Sequence, residues 1–600
     1  MNGGMVLTIL SMNLAAIQYR FPHAANTILE LEPTGAQDPK SYNEPVEKDH
    51  IWLEAVQQSV ENIECVFVYG FGQGLGIADI LEMYPDRLLF VYEPDEYQFL
   101  KSISSYDMRS LLEHPNLYWL AIGDSQLNSL FYMASVHMQR ELAFVALRHY
   151  LEVEMDVLRD VKEKLEEYNH TYESNQRTHH LFRQDWIRNC MYQMAGMLTS
   201  PSIDDLKFSF PGSTAFIIAS GPSLQQDIEW IKRVRPHALV IAAGSSIQAL
   251  VKQGIQPHLA VTLDGGIIND KVFSQPETLE APLLYGSTSY FGITDRKQKD
   301  TVHFVLSNDH ISQYYLGIDR TQVAITATPT VVGSAIQAAV WLGARRVVLM
   351  GQDLSFPGNK FYADGLGHVE ESHKASIVEK ALQQVLNVHG EYNATNESLL
   401  FMKDALENLF AALSSIEFIN TTRNGAALEG TVWKPIEEVY DMIAEEHIEH
   451  DAIANIQRNQ PFFINENRIE EVKGKIQHTL NDFAQFREEL KVMLKTIGNI
   501  REWSRMKPLR CHNAIVEIEQ RWTSIVSRDW FVPIIETVLP LEIGLFDQQQ
   551  PLIAIEQNLS RKADMIHKHL GKLGNEILDK IPMLEELFIE AIRRIDNIKS

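Results

Sequence analysis

The sequence predicts an α/β protein: two Rossmann-like, doubly wound α/β domains followed by an all-α helical domain. Short unbroken apolar runs, such as Ala215–Ala219 and Val347–Met350, alternate with segments of helical periodicity over 51–150 and 205–435. That alternation is the βαβ pattern of a parallel sheet. The runs stop abruptly at glycine or small polar residues, as strands do at an edge that receives a ligand. Beyond about Trp433 such runs vanish, and residues rich in Glu, Lys, Ile, Leu and Gln repeat at helical spacing. A chain of 600 residues exceeds what one core can bury, and its boundaries read as 1–150, 151–200, 201–438 and 439–600.

Apolar content of 45% and charged content of 22% are those of an ordinary globular protein. A net charge of −26 argues against a general nucleic-acid or anionic-membrane binder, yet permits a small anion held locally by backbone N–H groups. Cys65, Cys190 and Cys511 are too far apart for a metal motif, and their sparse, odd count suggests a reducing cytoplasm. No run approaches about 18 apolar residues, so no membrane span is expected. Met5 to Ile17 is apolar but carries Ser11 and Asn13 and lacks a preceding basic residue, so it reads poorly as a signal peptide. The stretch from Asn13 to Phe21 reads instead as a helix that ends before Pro22.

In the first α/β domain, Cys65–Tyr69 and Leu88–Tyr92 read as strands around a helix Ile77–Met83, with further strands Tyr118–Ile122 and Leu142–Leu147. The turn Tyr69-Gly70-Phe71-Gly72-Gln73-Gly74-Leu75-Gly76 follows the first strand, and Glu93 ends the next one, 17 residues beyond Gly76. Glycines there let a phosphate or sulfonium ligand approach a helix N-terminus, and an acid there can bind ribose hydroxyls. The layout resembles that of S-adenosylmethionine-dependent methyltransferases, but Tyr69 stands where an acid is common. A Rossmann-type domain whose glycine turn is vacant or purely structural is the favoured reading. Residues 151–197 turn helical and charged and read as a bridging helix pair, broken by Thr199-Ser200-Pro201.

In the second α/β domain the strands are Ala215–Ala219, Leu239–Ala243, Leu259–Leu263, Leu283–Tyr285, His303–Leu306 and Val347–Met350. Their ends supply the candidate site. Ser220-Gly221-Pro222-Ser223 leads into a helix for which Ser223 and Gln226 suggest a capping box and an anion site. Gly244-Ser245, Asp264, Ser287-Thr288 and the segment from Thr326 to Ser334 follow at later ends. Gly351, Gln352 and Asp353 end the last strand, with Tyr362, Asp364, His368 and His373 shortly beyond. Sheet topology brings such ends together. The remaining residues, 439–600, read as four to six helices interrupted by prolines at 461, 508, 533, 540, 551 and 582.

Phe216–Leu224 (FIIASGPSL), Val261–Gly266 (VTLDGG) and Leu342–Phe356 (LGARRVVLMGQDLSF) resemble the motility-associated factor (Maf) proteins, bacterial flagellin glycosyltransferases. Asn13–Leu31 with its RFP and the VYGFGQGLG turn resemble the same family's amino-terminal region. The resemblance implies a central domain like that of bacterial sialyltransferases. It implies transfer of a nonulosonic acid, of the pseudaminic or legionaminic type, from its CMP conjugate to Ser or Thr of flagellin. By position it implies that Gly221, Pro222 and Ser223 meet the nucleotide and that Asp353 is the acid of the GxDF-like segment. Thr330 aligns with a TSG-like turn in which Val331 and Val332 replace the small residues and Gly333-Ser334 substitute for them. The same motifs relate the domain more distantly to archaeal pterin pyrophosphokinases.

The expected donor-binding set is therefore Ser220, Gly221, Pro222, Ser223, Gly244, Ser245, Asp264, Ser287, Thr288, Thr330, Gly333, Ser334, Gly351, Gln352 and Tyr362. The expected catalytic residues are His368, as general base, and Asp353. A histidine titrating near 6.5 suits proton abstraction at neutral pH, and His373 and Asp353 compete with His368 for that role. No cofactor is expected. If a divalent cation takes part, Asp264 is its ligand. An Mg²⁺- and ATP-dependent pyrophosphokinase and a non-catalytic flagellin-binding assembly factor are the competing functions.

Overall fold

The computed structural model describes residues 8–31, 49–61, 63–138, 141–297, 299–319, 325–363, 367, 376–381, 383–459 and 462–598. The chain divides into two compact units, Met1–His180 and Leu181–Ser600.

In the first unit, β1 (Cys65–Tyr69), β2 (Leu88–Glu93), β3 (Leu117–Ile122) and β4 (Leu142–Ala146) form a parallel sheet in the order β3-β2-β1-β4. The chain does stop being helical before Pro22, but only for one residue. Helix Ile9–Arg20 ends at Phe21, and Pro22 opens a second helix, Pro22–Glu30, in the first-turn position where its missing N–H costs nothing. Buried Asn13 ties the first helix down, donating to the carbonyls of Ile103 and Tyr106 at 2.7 Å and accepting from Met108 N–H at 2.9 Å. The bridging pair expected over 151–197 is instead one continuous 45-residue helix, Met155–Thr199, preceded by the short helix Arg148–Val153.

The second unit holds β5 (Thr214–Ile218), β6 (Leu239–Ala243), β7 (Leu259–Thr262), β8 (Leu283–Gly286), β9 (Thr301–Phe304) and β10 (Arg346–Met350). It also holds an antiparallel pair, β11 (Gln383–Leu386) and β12 (Tyr392–Thr395), and then β13 (Glu417–Asn420) and β14 (Val432–Trp433). The large sheet is parallel in the order β14-β13-β10-β5-β6-β7-β8-β9. Alternate residues serve opposite faces, as a pleat requires. Ala215, Ile217, Leu239, Ile241, Val347 and Leu349 pack against helix Val331–Trp341. Phe216, Ile218, Val240, Ala242, Val348 and Met350 pack against the helices from Leu224 to Val234 and against Ile436–Ile443. The sheet's core runs on through Ile448, Ala452 and Ile453, past residue 438.

The helical bundle that follows is built on two antiparallel helices, Glu466–Met506 and Leu559–Asp596, around Phe483, Phe486, Trp530 and Phe588. Met191, Met194 and Met197, at the end of helix Met155–Thr199, join the same core. Pro508 and Pro540 open helices, whereas Pro551 and Pro582 lie inside continuous ones, so two of the expected interruptions do not occur. Among the described residues no helix is long and apolar enough to cross a membrane.

Two buried imidazoles are expected to make this unit acid-sensitive. His258 Nδ1 accepts the Val240 N–H at 2.9 Å, and His303 Nδ1 lies 3.0 Å from Ser200 Oγ. Burial, reinforced by the charges of Arg235 and Arg468 respectively, holds each ring neutral, with its pKa lowered from 6.5 to about 3. A group harder to protonate folded than unfolded contributes stability above pH 6.5 that is lost as pH falls towards 3. We expect the two to cost about 2 kcal/mol each between pH 7.5 and pH 5. Urea unfolding at the two pH values checks this, and a His258→Asn/His303→Asn double variant should lose correspondingly less.

Candidate active-site cleft at the sheet switch point

From β5 the chain builds β6, β7, β8 and β9 outward to one side, then returns to place β10 on the other. Connections leaving β5 and β10 in opposite directions part at the carboxyl edge and open a crevice between them. The turns Ser220–Ser223 and Gly351–Asp353 meet there. Gly221 donates to the Gly351 carbonyl at 2.9 Å. A Cβ on Gly221 would stand 2.2 Å from Asp353 Oδ2 and 2.5 Å from that carbonyl, so only glycine fits. A Cβ on Gly351, at φ +71°, would likewise stand 2.7 Å from the Ala219 carbonyl.

Asp353 is the centre of this lacing. Its Oδ2 accepts Ser223 N–H at 3.0 Å and its Oδ1 accepts the Ser223 hydroxyl at 2.5 Å. Its carbonyl accepts Ala426 N–H at 2.7 Å. Burial pushes the carboxyl up to about 6 against the opposing pull of the two Ser223 bonds. The expected capping box at Ser223 and Gln226 is therefore absent, because Ser223 spends its hydroxyl on Asp353. The helix there is one turn, Leu224–Asp227, whose leading N–H groups bond to Gly221, Pro222 and Ser223 carbonyls. The negative charge expected at this helix start is supplied from within the chain.

Asp353→Ala would leave two buried donors unpaired, and we expect it to cost about 2–3 kcal/mol. Asp353→Asn keeps an oxygen for Ser223 and removes the buried charge. Because the wild-type carboxyl is raised from 3.8 to about 6, its penalty is absent below 3.8 and complete above 6. The Asn variant should match or exceed wild-type stability at pH 8 and lose that lead as pH falls below 6, by thermal melts across pH.

The neighbouring strand ends complete the cleft. Ser245 Oγ donates to Ser220 Oγ at 3.0 Å, joining the ends of β5 and β6. Val331 lies over Gly244, which brings the start of helix Val331–Trp341 to the same place. Thr330 caps that helix, accepting Val332 N–H at 3.2 Å, and Gly333 is pressed against Thr328. Ser334 is buried behind them. Ala363 N–H donates to the Ser220 carbonyl at 2.9 Å, so Tyr362 stands beside the Ser220–Ser223 turn.

Asp264, after β7, is exposed to solvent, yet desolvation raises its pKa above the ordinary carboxylate value of 3.8. Its side chain therefore meets solvent and protein together at the end of β7. Desolvation, and after it the Asp264 charge, raises the Tyr362 phenol, so the two side chains share that space. Among the described residues no three His, Cys, Asp or Glu side chains converge to hold a metal ion.

Two further expected residues, Ser287 and Thr288, follow β8. Ser287 is fully buried and donates to Asp309 Oδ2 at 2.5 Å, beside Cys190. Thr288 presents its carbonyl to Asn189 Nδ2 at 2.9 Å, the amide that also holds the Gly265 carbonyl. His368, His373 and Asp364 lie outside the described residues. Sequence reasoning missed the contribution of β13, whose following Thr422 accepts Gln352 N–H at 3.1 Å. Only the short run Phe418-Ile419 signalled that strand. It also missed Arg423, whose guanidinium grips buried Asp227 at 2.8 Å behind the Ser223 turn.

The glycine turn of the first unit is self-filled. Glu93, fully buried, accepts Phe71 N–H at 2.7 Å and Gly72 N–H at 3.3 Å on one oxygen, and the Tyr150 hydroxyl at 2.6 Å on the other. The Tyr150 ring would stand 2.4 Å from a Cβ on Gly70. The N–H groups that could hold a phosphate thus hold the chain's own carboxylate. S-adenosylmethionine should produce no shift in the melting temperature, and a clear shift would contradict this filling.

These features define a Rossmann-type α/β chain with a solvent-reached crevice at the β5–β10 switch point. The family model described as 6-hydroxymethylpterin diphosphokinase MptE-like matches residues 188–359, the segment that contains β5 through β10. Over 167 residues the chain is 27% identical to a protein of Treponema pallidum (strain Nichols) described only as uncharacterized. That match takes in 27% of this chain and spans about half, 56%, of the relative's length. The whole fold is similar to the solved structure of the Maf glycosyltransferase from Magnetospirillum magneticum AMB-1, with a TM-score of 0.53 and 15% identity. That likeness covers 98% of this chain and 99% of the other.

Proposed function

We propose that this chain is a glycosyltransferase of the Maf type, moving a nonulosonic acid from its CMP conjugate to Ser or Thr hydroxyls of flagellin. The reading rests chiefly on end-to-end likeness to a Maf glycosyltransferase, 98% of one chain against 99% of the other. It draws support from the GPS and GQD turns meeting at one switch point. The acceptor oxygen forms a bond to the anomeric carbon, the bond from that carbon to the CMP phosphate oxygen breaks, and CMP leaves with the electron pair. The leaving phosphate needs fixed dipoles, which the start of helix Val331–Trp341 and the Ser220 and Ser245 hydroxyls supply.

The acceptor proton needs a base. Asp353 has both oxygens engaged by Ser223, and His368 lies outside the described residues. We assign the proton to Asp264, a wetted carboxylate held above its ordinary range. Thermal denaturation with CMP, ATP, S-adenosylmethionine and a pterin tests the ligand class, because a ligand bound only by the folded state raises its melting temperature. A shift with CMP alone is expected.

The match to the diphosphokinase family model favours one second reading, ATP-dependent diphosphoryl transfer to a pterin in the same crevice. Stabilisation by ATP with Mg²⁺ and a pterin, and none by CMP, would select it.

A further inference from the structure

Helices Glu466–Met506 and Pro508–Val526 meet at a corner of sequence Arg505-Met506-Lys507-Pro508-Leu509-Arg510. At its apex Met506 and Leu509 are 72% and 76% exposed. The residues just behind them, Ile500, Cys511 and Ala514, are buried in the bundle core, so the corner is well anchored and its two aliphatic side chains stand proud of it. Ser560 Oγ donates to Ser504 Oγ at 3.3 Å, which brings the start of helix Leu559–Asp596 to the same end of the bundle. Ile555, just before that helix, is a third exposed aliphatic there.

Cations ring these aliphatics. Arg510 lies over the Trp503 ring at 4.0 Å, and Arg501 pairs with Asp564 at 2.6 Å. Among the described residues Arg505, Lys507 and Arg510 form no ion pair, although the chain as a whole carries a charge of −26. A positive, aliphatic apex on a strongly acidic protein is a local reversal of the chain's overall character. Exposed aliphatics normally carry a cost in water, and flanking cations suit a partner that offers hydrocarbon beneath a layer of negative charge. The corner therefore offers exposed aliphatics and unpaired cations together, the pairing that a surface of hydrocarbon beneath anionic phosphates complements.

We propose that this corner docks the protein peripherally on an anionic lipid surface, with Met506 and Leu509 entering the interface and Arg505, Lys507 and Arg510 meeting lipid phosphates. The test is co-sedimentation of the full chain with vesicles of one part phosphatidylglycerol to three parts phosphatidylcholine, and with phosphatidylcholine alone. Sedimentation is expected with the anionic vesicles only, falling about tenfold between about 50 mM and 500 mM salt. Met506→Ser/Leu509→Ser and Arg505→Glu/Lys507→Glu variants should each abolish it while keeping the wild-type melting temperature, since all four side chains are exposed. Failure to sediment with anionic vesicles, or sedimentation unchanged in both variants, overturns the proposal. Capture of polyglutamate without vesicle binding would give the corner to an acidic polypeptide and overturn it equally.

Discussion

Gly221→Ala is expected to cost about 3 kcal/mol of stability and to abolish any ligand-induced rise in melting temperature. The new methyl would stand 2.2 Å from Asp353 Oδ2 and 2.5 Å from the Gly351 carbonyl. Neither neighbour can yield cheaply: one is a buried carboxylate fixed by two bonds from Ser223, the other a backbone group bonded to Gly221 itself. Relief requires the two turns to separate, which dismantles the junction of β5 and β10 on which the cleft is built. Gly474→Ala is the control, because a Cβ there meets nothing and the residue lies within helix Glu466–Met506. That change should stabilise the protein by up to about 1 kcal/mol. Urea unfolding of both variants measures the contrast.

Asp264→Asn is expected to lower transfer by about 10²- to 10⁴-fold while leaving the CMP-induced thermal shift in place. Asn is isosteric, so the cleft keeps its shape, but it cannot accept the acceptor's proton. The partnership with Tyr362 makes the change visible independently of turnover. The Asp264 charge helps hold the phenol above its ordinary range of 10, so removing it should move the Tyr362 titration downward, followed by ultraviolet difference absorbance. Retained transfer in Asp264→Asn together with lost transfer in His368→Ala would move the base to His368.

Much of this architecture was legible because parallel strands buried on both faces are short apolar runs. Each strand named from the sequence between Cys65 and Met350 is present within a residue or two. β13 and β14 escaped because Glu417–Asn420 offers only two apolar residues in succession and Val432–Trp433 is two residues long. The reading of Ser223 shows a different limit. Its local spacing to Gln226 is that of a cap, but Asp353, 130 residues on, competes for the same hydroxyl and wins with a 2.5 Å bond to a buried carboxylate. Pattern within a few residues carries no trace of that partner. Ser287 shows the same limit, since its bond to Asp309 depends on how the following segment folds back.

Glu93 and Asp353 solve one structural problem twice. Each is an acid at a strand's end, and each turns back to satisfy N–H groups of a glycine turn after the first strand of its sheet. In sequence, such an acid resembles a ligand-binding residue. In the folded chain it stands in for the ligand's charge at that turn, and in the second unit the crevice beside it is lined by Ser220, Ser245, Asp264 and Tyr362.

We propose that this crevice transfers a nonulosonic acid from its CMP conjugate to protein. Its most direct test is the intact mass of flagellin from the same source organism after incubation with purified chain and a CMP-activated nonulosonic acid. Mass increments of whole nonulosonic acid residues are expected, with equimolar release of CMP and loss of both in Gly221→Ala. Unmodified flagellin, accompanied by ATP-dependent diphosphorylation of a 6-hydroxymethylpterin by the same preparation, would contradict it.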